Sequence, residues 1–179
     1  MGPFELETWD SSTVVLRLAE LTSIYLAVYA EPPYNSGSLW SADAFADRTR
    51  RQATHPGFSF VVARRGEKVL GFSFGLPFAA GRWWSGEASD PPEHILHAEK
   101  FAVIELVLLK EWRGLGIGHQ MHDRLLAGRN EAYAVLTAMP TAHARQMYQR
   151  WGWHQVGTAR HTPDSPLLDA LVLPLPKSA

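Results

Sequence analysis

Apolar and polar positions fall in short blocks whose period switches between two and about 3.6 residues, the pattern of strands and helices in succession. Residues 13–18 form a β-branched and aliphatic run that predicts a strand. Behind it, Leu21, Ile24, Tyr25 and Val28 stand at helical spacing, and Pro32 and Pro33 end that helix. Ser41 is placed to cap a second helix through about Ala53, because its hydroxyl can accept an amide proton that the first turn leaves unpaired. Residues 58–65 and 69–78 read as two strands joined by the tight turn Arg65-Gly66-Glu67-Lys68, hence an antiparallel hairpin. Residues 101–109 are almost unbroken apolar, as expected for a central strand covered on both faces. Ile117, Met121 and Leu125 then mark one helical face, and Gly128 and Asn130 stop it. Residues 133–139 predict another strand. Thr141 is placed to cap a helix to Trp151, with Gly152 taking the positive φ that ends it, and strands over 153–160 and 168–173 finish the chain. The predicted order is β, α, α, β, β, β, α, β, α, β, β, a mixed α/β sheet with helices packed on it.

Composition narrows the classes. The 179 residues are 46% hydrophobic and 20% charged, an ordinary globular balance, and no repeat or long linker divides them, so one domain spanning residues 1–179 is expected. Cysteine is absent, which excludes disulfides, thiol catalysis and Cys-ligated metal. Seventeen Lys and Arg against 18 Asp and Glu leave a net charge of -1, too little field to hold a polyanion, so neither nucleic acid nor an anionic membrane is expected as a partner. Residues 1–10 carry acids where a secretory signal needs a basic region, and Pro3 and Leu6 break a myristoylation pattern. No apolar run approaches the ~18 residues of a membrane span. A cytoplasmic location follows as the expectation.

The chemistry concentrates in ELVLLKEWRGLGIG, residues 105–118, where a buried strand delivers a glycine-rich loop into a helix. Gly114, Gly116 and Gly118 carry no side chains to block a ligand, and loop amides and helix dipole direct positive charge at one spot, which suits a pyrophosphate. A nucleoside-triphosphate loop would need Lys and then Ser or Thr after the glycine, but His119 and Gln120 stand there. The dinucleotide pattern G-x-G-x-x-G fits less well than the observed G-x-G-x-G.

Arg113-Gly114-Leu115-Gly116-Ile117-Gly118 fits [RQ]-x-x-G-x-[GA], and Ala144 to Trp153 fits A-x-x-x-Y-x-x-x-G-[FW]. On these two motifs, in the right order, the chain resembles the GNAT superfamily of acetyl-CoA-dependent N-acyltransferases. The resemblance implies a mixed, mostly antiparallel sheet of about six to seven strands with helices on both faces and a splayed parallel strand pair, here 101–109 and 133–139, that admits pantetheine. It implies that backbone around Val107 and Leu108 meets the pantetheine arm, with Leu108 or a neighbour polarising the thioester carbonyl. It also implies that amides of Arg113, Gly114, Leu115, Gly116, Ile117 and Gly118 hold the pyrophosphate. Two positions depart from the family. Lys110 replaces the usual Pro, and Thr141 replaces an Asn that often touches the cofactor, which puts a side-chain contact there in doubt.

An alkyl ammonium titrates near ~10.4, so freeing the nucleophilic amine at neutral pH costs about 4 to 5 kcal/mol and calls for a base. Glu105, the sole acid of the apolar strand, is the candidate; the alternative is a carboxylate that organises a neighbouring loop. Tyr148 matches the family's general acid, which protonates the departing thiolate; the alternative is a ring packing at the helix edge. For the acceptor, Pro32, Pro33 and Tyr34 offer an aromatic lip, while Trp83 and Trp84 could stack on a ligand or simply cover the core. Asp43, Asp47 and Asp164 could attract a cationic amine but read first as solvated acids, and Arg48, Arg50 and Arg51 read first as a solvated helix face that could help hold a cofactor phosphate. His119 with His122, and His94 with His97, are three apart with no third ligand indicated, so no metal is expected. The implied function is transfer of acetyl from acetyl-CoA to a primary amine of a small molecule. A non-catalytic acyl-CoA sensor and a dinucleotide-binding module are the rivals. Dimers are common in the family, so a homodimer is compatible with the resemblance.

Overall fold

A computed structural model describes residues 3–176. Its elements are β1 (Glu5–Trp9), α1 (Ser11–Leu16), α2 (Leu18–Tyr29), α3 (Ala42–Ala53), β2 (Ser59–Arg65), β3 (Lys68–Phe78), β4 (Glu87–Ala88), α4 (Glu93–Leu96), β5 (Lys100–Leu108), α5 (Ile117–Leu126), β6 (Tyr133–Ala138), α6 (His143–Arg150), β7 (His154–Arg160) and β8 (Leu168–Pro174). The chain forms two compact units, one made of residues through Leu76 together with Val103–Ala127, the other of Pro77–Ala102 together with residues from Gly128 on.

In the first unit the strand order is β1-β2-β3-β5. The predicted hairpin is present, with β2 antiparallel to β3 and Gly66 at φ +57° in the turn. The predicted strand over 13–18 is instead helical. The Asp10 carboxylate accepts from the Thr13 amide at 2.8 Å and caps α1, so a local hydrogen bond outweighs the β-branched preference of Thr13, Val14 and Val15. The first strand lies one step earlier, at β1, where Glu5 and Glu7 pair across the sheet edge with Arg64. Ser41 caps α3 as predicted, its Oγ accepting from the Ala44 amide. Tyr25 of α2 stacks on Phe45 of α3 at 4.0 Å, which locks the two helices together.

The second unit contains the order β5-β6-β8-β7-β4, with β5 contributing its first residues. β6 and β5 pair in parallel from Lys100–Tyr133 to Ala102–Val135, while β6–β8, β8–β7 and β7–β4 are antiparallel. Among the described residues there are eight strands against about six to seven expected, because the charged β1 and the two-residue β4 carry too little apolar pattern to be seen. Helix α6 starts at His143 with Ala142 as its N-cap and no side-chain cap, so the expected Thr141 cap is not made; the exposed Thr141 lies one residue outside. Gly152 does take a positive φ, +91°, and ends α6.

Lys100 is fully buried and, among the described residues, has no carboxylate partner. Its Nζ donates to the carbonyls of Ile95 (3.1 Å), Leu96 (2.8 Å) and Ala98 (2.6 Å), closing the C-terminal end of α4, and burial holds its pKa below the usual lysine value. Lys100→Met would keep the stem but leave those acceptors without their donor, offset in part by relief from burying an ammonium. A loss of about 2 kcal/mol is expected, read as a melting temperature lower by roughly 4–8 °C.

Candidate functional site

In the first unit, β5 runs beside β3. Ser73 Oγ donates to the Glu105 carbonyl at 2.9 Å and the Leu109 amide donates to the Leu70 carbonyl at 3.0 Å, contacts whose order shows that the strands run antiparallel. A Cβ placed on Gly71 would stand 2.3 Å from the Val107 carbonyl oxygen and 2.9 Å from the Leu108 Cα. The backbone of the two predicted pantetheine contacts thus approaches β3 closely because position 71 has no side chain.

Glu105 is 7% exposed. The Tyr29 hydroxyl donates to its Oε2 at 2.7 Å, and the Arg48 guanidinium lies 3.7 Å from Oε1. Burial raises the Glu105 pKa to about 7, and the Arg48 charge and the Tyr29 hydrogen bond oppose that rise without cancelling it. A carboxyl that titrates near neutrality on a fixed strand is suited to receive and release a proton. Arg48 also donates to the Tyr25 hydroxyl at 3.2 Å, so it holds this cluster together and does not belong to a solvated face with Arg50 and Arg51. The sequence alone singles out Arg48 only as part of a solvated face and does not single out Tyr29. Both sit at helical spacing from core residues, Tyr29 four beyond Tyr25 and Arg48 three beyond Phe45, which was the available signal. Tyr34 packs edge-on to Tyr29 (4.7 Å) and Trp40 (5.1 Å), with its phenol pushed up to about 12 by burial and by the charge of Glu105.

After β5, the turn Lys110–Trp112 leads into the glycine loop. Gly114 and Gly116 both have φ +77°, a conformation that disfavours other residues. A Cβ on Gly114 would meet no atom within 4 Å, and one on Gly116 only the Gln120 Nε2 at 3.8 Å, so these glycines serve the loop's course and leave its outer side open to a ligand. Gly116 is the N-cap of α5 and supplies no side-chain acceptor, leaving the first-turn amides to be satisfied from outside the helix. Gly118 is buried within that turn, and Leu115 is half exposed. The Arg113 guanidinium is committed within the protein. It forms a two-pronged pair with Glu31 at 2.9 and 2.8 Å, and its Nε donates to the Leu108 carbonyl at 2.9 Å. It therefore fixes the loop to the end of β5 and to the segment after α2, while the Arg113 amide donates to the Lys110 carbonyl at 3.2 Å.

Tyr148, Trp83 and Trp84 lie in the second unit. Tyr148 on α6 is buried and meets Trp151 and Trp153 edge-on at 5.7 and 5.9 Å. Trp83 Nε1 donates to the Ser89 carbonyl, and Trp84 lies edge-on to Phe78 and His161. Asp43 and Asp164 are exposed, and Asp47 pairs with Arg50 on the surface of α3.

Residues 19–153 match the family model described as "Acetyltransferase (GNAT) family". A GCN5-like protein acetyltransferase of Mycobacterium tuberculosis is 30% identical over 117 residues, 58% of this chain and 57% of that protein, so the chain matches little more than half the relative's length. Among solved structures, the PaiA N-acetyltransferase of Thermoplasma acidophilum in complex with coenzyme A superposes with a TM-score of 0.60 at 12% identity, covering 97% of this chain and 99% of that one. The ribosomal-protein-S18-alanine N-acetyltransferase of Escherichia coli gives 0.66 at 14% identity, covering 99% and 97%. An aminoglycoside 6'-acetyltransferase type Ii gives 0.64 at 16% identity, covering 97% and 99%. At these identities the structures speak to the fold alone.

Proposed function

The chain belongs to the GNAT acetyltransferase family, and from that premise we propose that it transfers acetyl from acetyl-CoA directly to a primary amine of a small molecule, within a ternary complex. Family membership makes it an acyltransferase and sets the dinucleotide-binding alternative aside. The observation that carries the reading is the loop over 113–118, where two left-handed glycines lead into a helix whose first-turn amides lack a side-chain cap. Those amides suit the diphosphate of coenzyme A, and the Val107 and Leu108 backbone suits its pantetheine arm. Acetyl-CoA supplies an activated thioester.

In this reading Glu105 accepts the proton of the attacking ammonium, directly or through water, while Tyr29 and Arg48 hold its carboxylate. Tyr148 donates a proton to the sulfur. Thr141 keeps only a backbone role toward the cofactor, consistent with its place outside α6. Tyr34 stands in the ring cluster around Glu105 and is assigned to the acceptor side, as are Trp83 and Trp84. The near-neutral charge favours a small acceptor over a polyionic one. The reading places the enzyme in the cytoplasm; among the described residues no helix is long and apolar enough to cross a membrane.

Release of free CoA measured across aminoglycosides, polyamines, amino acids and peptide amines tests the proposal. Turnover with a small amine is expected. Turnover only with peptides moves the acceptor to protein, and tight CoA binding without turnover on any amine replaces the enzyme by a sensor. Tyr148→Phe keeps the ring against Trp151 and Trp153, so turnover should fall about 100-fold while the KM for acetyl-CoA stays within about threefold. Wild-type turnover in that variant would remove Tyr148 from the chemistry.

A further inference from the structure

Helix α5 carries, beyond the loop, a cluster that acyl transfer does not use. His119, His122 and Asp123 occupy positions i, i+3 and i+4, and one ligand atom from each lies within 4.8 Å of the others. Nε2 of His119 is 3.5 Å from Oδ1 of Asp123, and Nδ1 of His122 is 3.0 Å from the same oxygen. Donor atoms about 2.0–2.1 Å from a shared tetrahedral ion stand about 3.3–3.4 Å apart; the two separations to the carboxylate fall either side of that value, and the two imidazole nitrogens lie within 4.8 Å of each other, a gap that rotation of the exposed His119 side chain would close. The three groups differ usefully in exposure: His119 and Asp123 are open to solvent, whereas His122 is 4% exposed. Ile117, Met121 and Leu125 bury the rest of α5, which holds the helix face steady under the cluster.

We propose that His119, His122 and Asp123 form a binding site for a divalent transition ion, with water completing its coordination. Two imidazoles and one carboxylate select Zn²⁺, Co²⁺, Ni²⁺ or Cu²⁺ over Mg²⁺ and Ca²⁺, which favour all-oxygen shells. The carboxylate neutralises half of the ion's charge, and the solvent-facing side admits it without opening the fold. Occupation would tie position 119, in the first turn of α5, to position 123 in the next turn.

Calorimetric titration of the chelator-treated full chain with Zn²⁺, and separately with Mg²⁺, tests the site, together with the visible spectrum of the Co²⁺ form. One Zn²⁺ per chain is expected, with a Co²⁺ spectrum of mixed nitrogen and oxygen ligation and no heat from Mg²⁺. His119→Ala and Asp123→Asn change exposed groups and should leave the melting temperature of the metal-free protein unchanged while weakening Zn²⁺ at least ~10-fold each. Because His122 is buried, His122→Gln is read only if its circular dichroism and melting match wild type. Absence of Zn²⁺ binding would overturn the proposal. So would Zn²⁺ affinity unchanged in both exposed variants, which places the ion elsewhere, or equal binding of Mg²⁺.

Discussion

Glu105→Gln is expected to lower kcat/KM by about 100- to 1,000-fold and to abolish the acidic limb of its pH profile. The sign follows from the carboxyl's setting. With its pKa raised to about 7 by burial, Glu105 is protonated below neutrality and unable to accept a proton, so wild-type activity should climb through pH 7 and level off above it. Arg48 and the Tyr29 hydroxyl both pull that pKa down, so Tyr29→Phe and Arg48→Gln should each move the limb to higher pH. Stability moves the other way. A carboxyl whose folded pKa exceeds its unfolded value binds more protons in the native state between about pH 4.5 and 7, so the wild type loses stability as pH rises through that window. Glu105→Gln should lose this slope. A pH–rate profile and denaturant melts at pH 5 and 8 read both effects, and a Gln variant retaining the wild-type limb would assign the base to another group.

That the sequence pointed to Glu105 but not to its neighbours has a physical cause. An acid in an apolar run is visible locally, because burial must either shift it or pair it. Its partners come from two helices, Tyr29 and Arg48, 76 and 57 positions away, and no local pattern records which helix faces meet. The glycine loop was legible for the same local reason, since alternating glycines at a strand end signal backbone geometry directly. The pairing of Arg113 with Glu31, 82 positions apart, was not; it gives the guanidinium of that residue a bracing role between the loop and the segment after α2. Errors in the fold share a pattern too. At 13–18 a capping carboxylate outweighed β-branched residues, and at β1 charged residues paired across a sheet edge hid a strand that apolar counting overlooks.

Gly71→Ala should cost about 3 kcal/mol or more, lowering the melting temperature by roughly 6–12 °C, and should raise the KM for acetyl-CoA at least ~10-fold. The added methyl would sit 2.3 Å from a backbone oxygen and 2.9 Å from a backbone carbon, neither of which can rotate away as a side-chain tip would. Relief requires β5 to shift at Val107 and Leu108, the very segment proposed to align the pantetheine arm, so stability and cofactor affinity should fall together. Ser73→Ala provides the contrast. It deletes the hydrogen bond to the Glu105 carbonyl on the same pair of strands without adding volume, and should cost only about 1 kcal/mol with little change in KM. If Gly71→Ala melts like wild type, β5 is not held at this distance from β3, and the alignment of Val107 and Leu108 must have another source. If it melts lower but binds acetyl-CoA normally, the close approach serves folding alone and the pantetheine arm lies away from Val107 and Leu108.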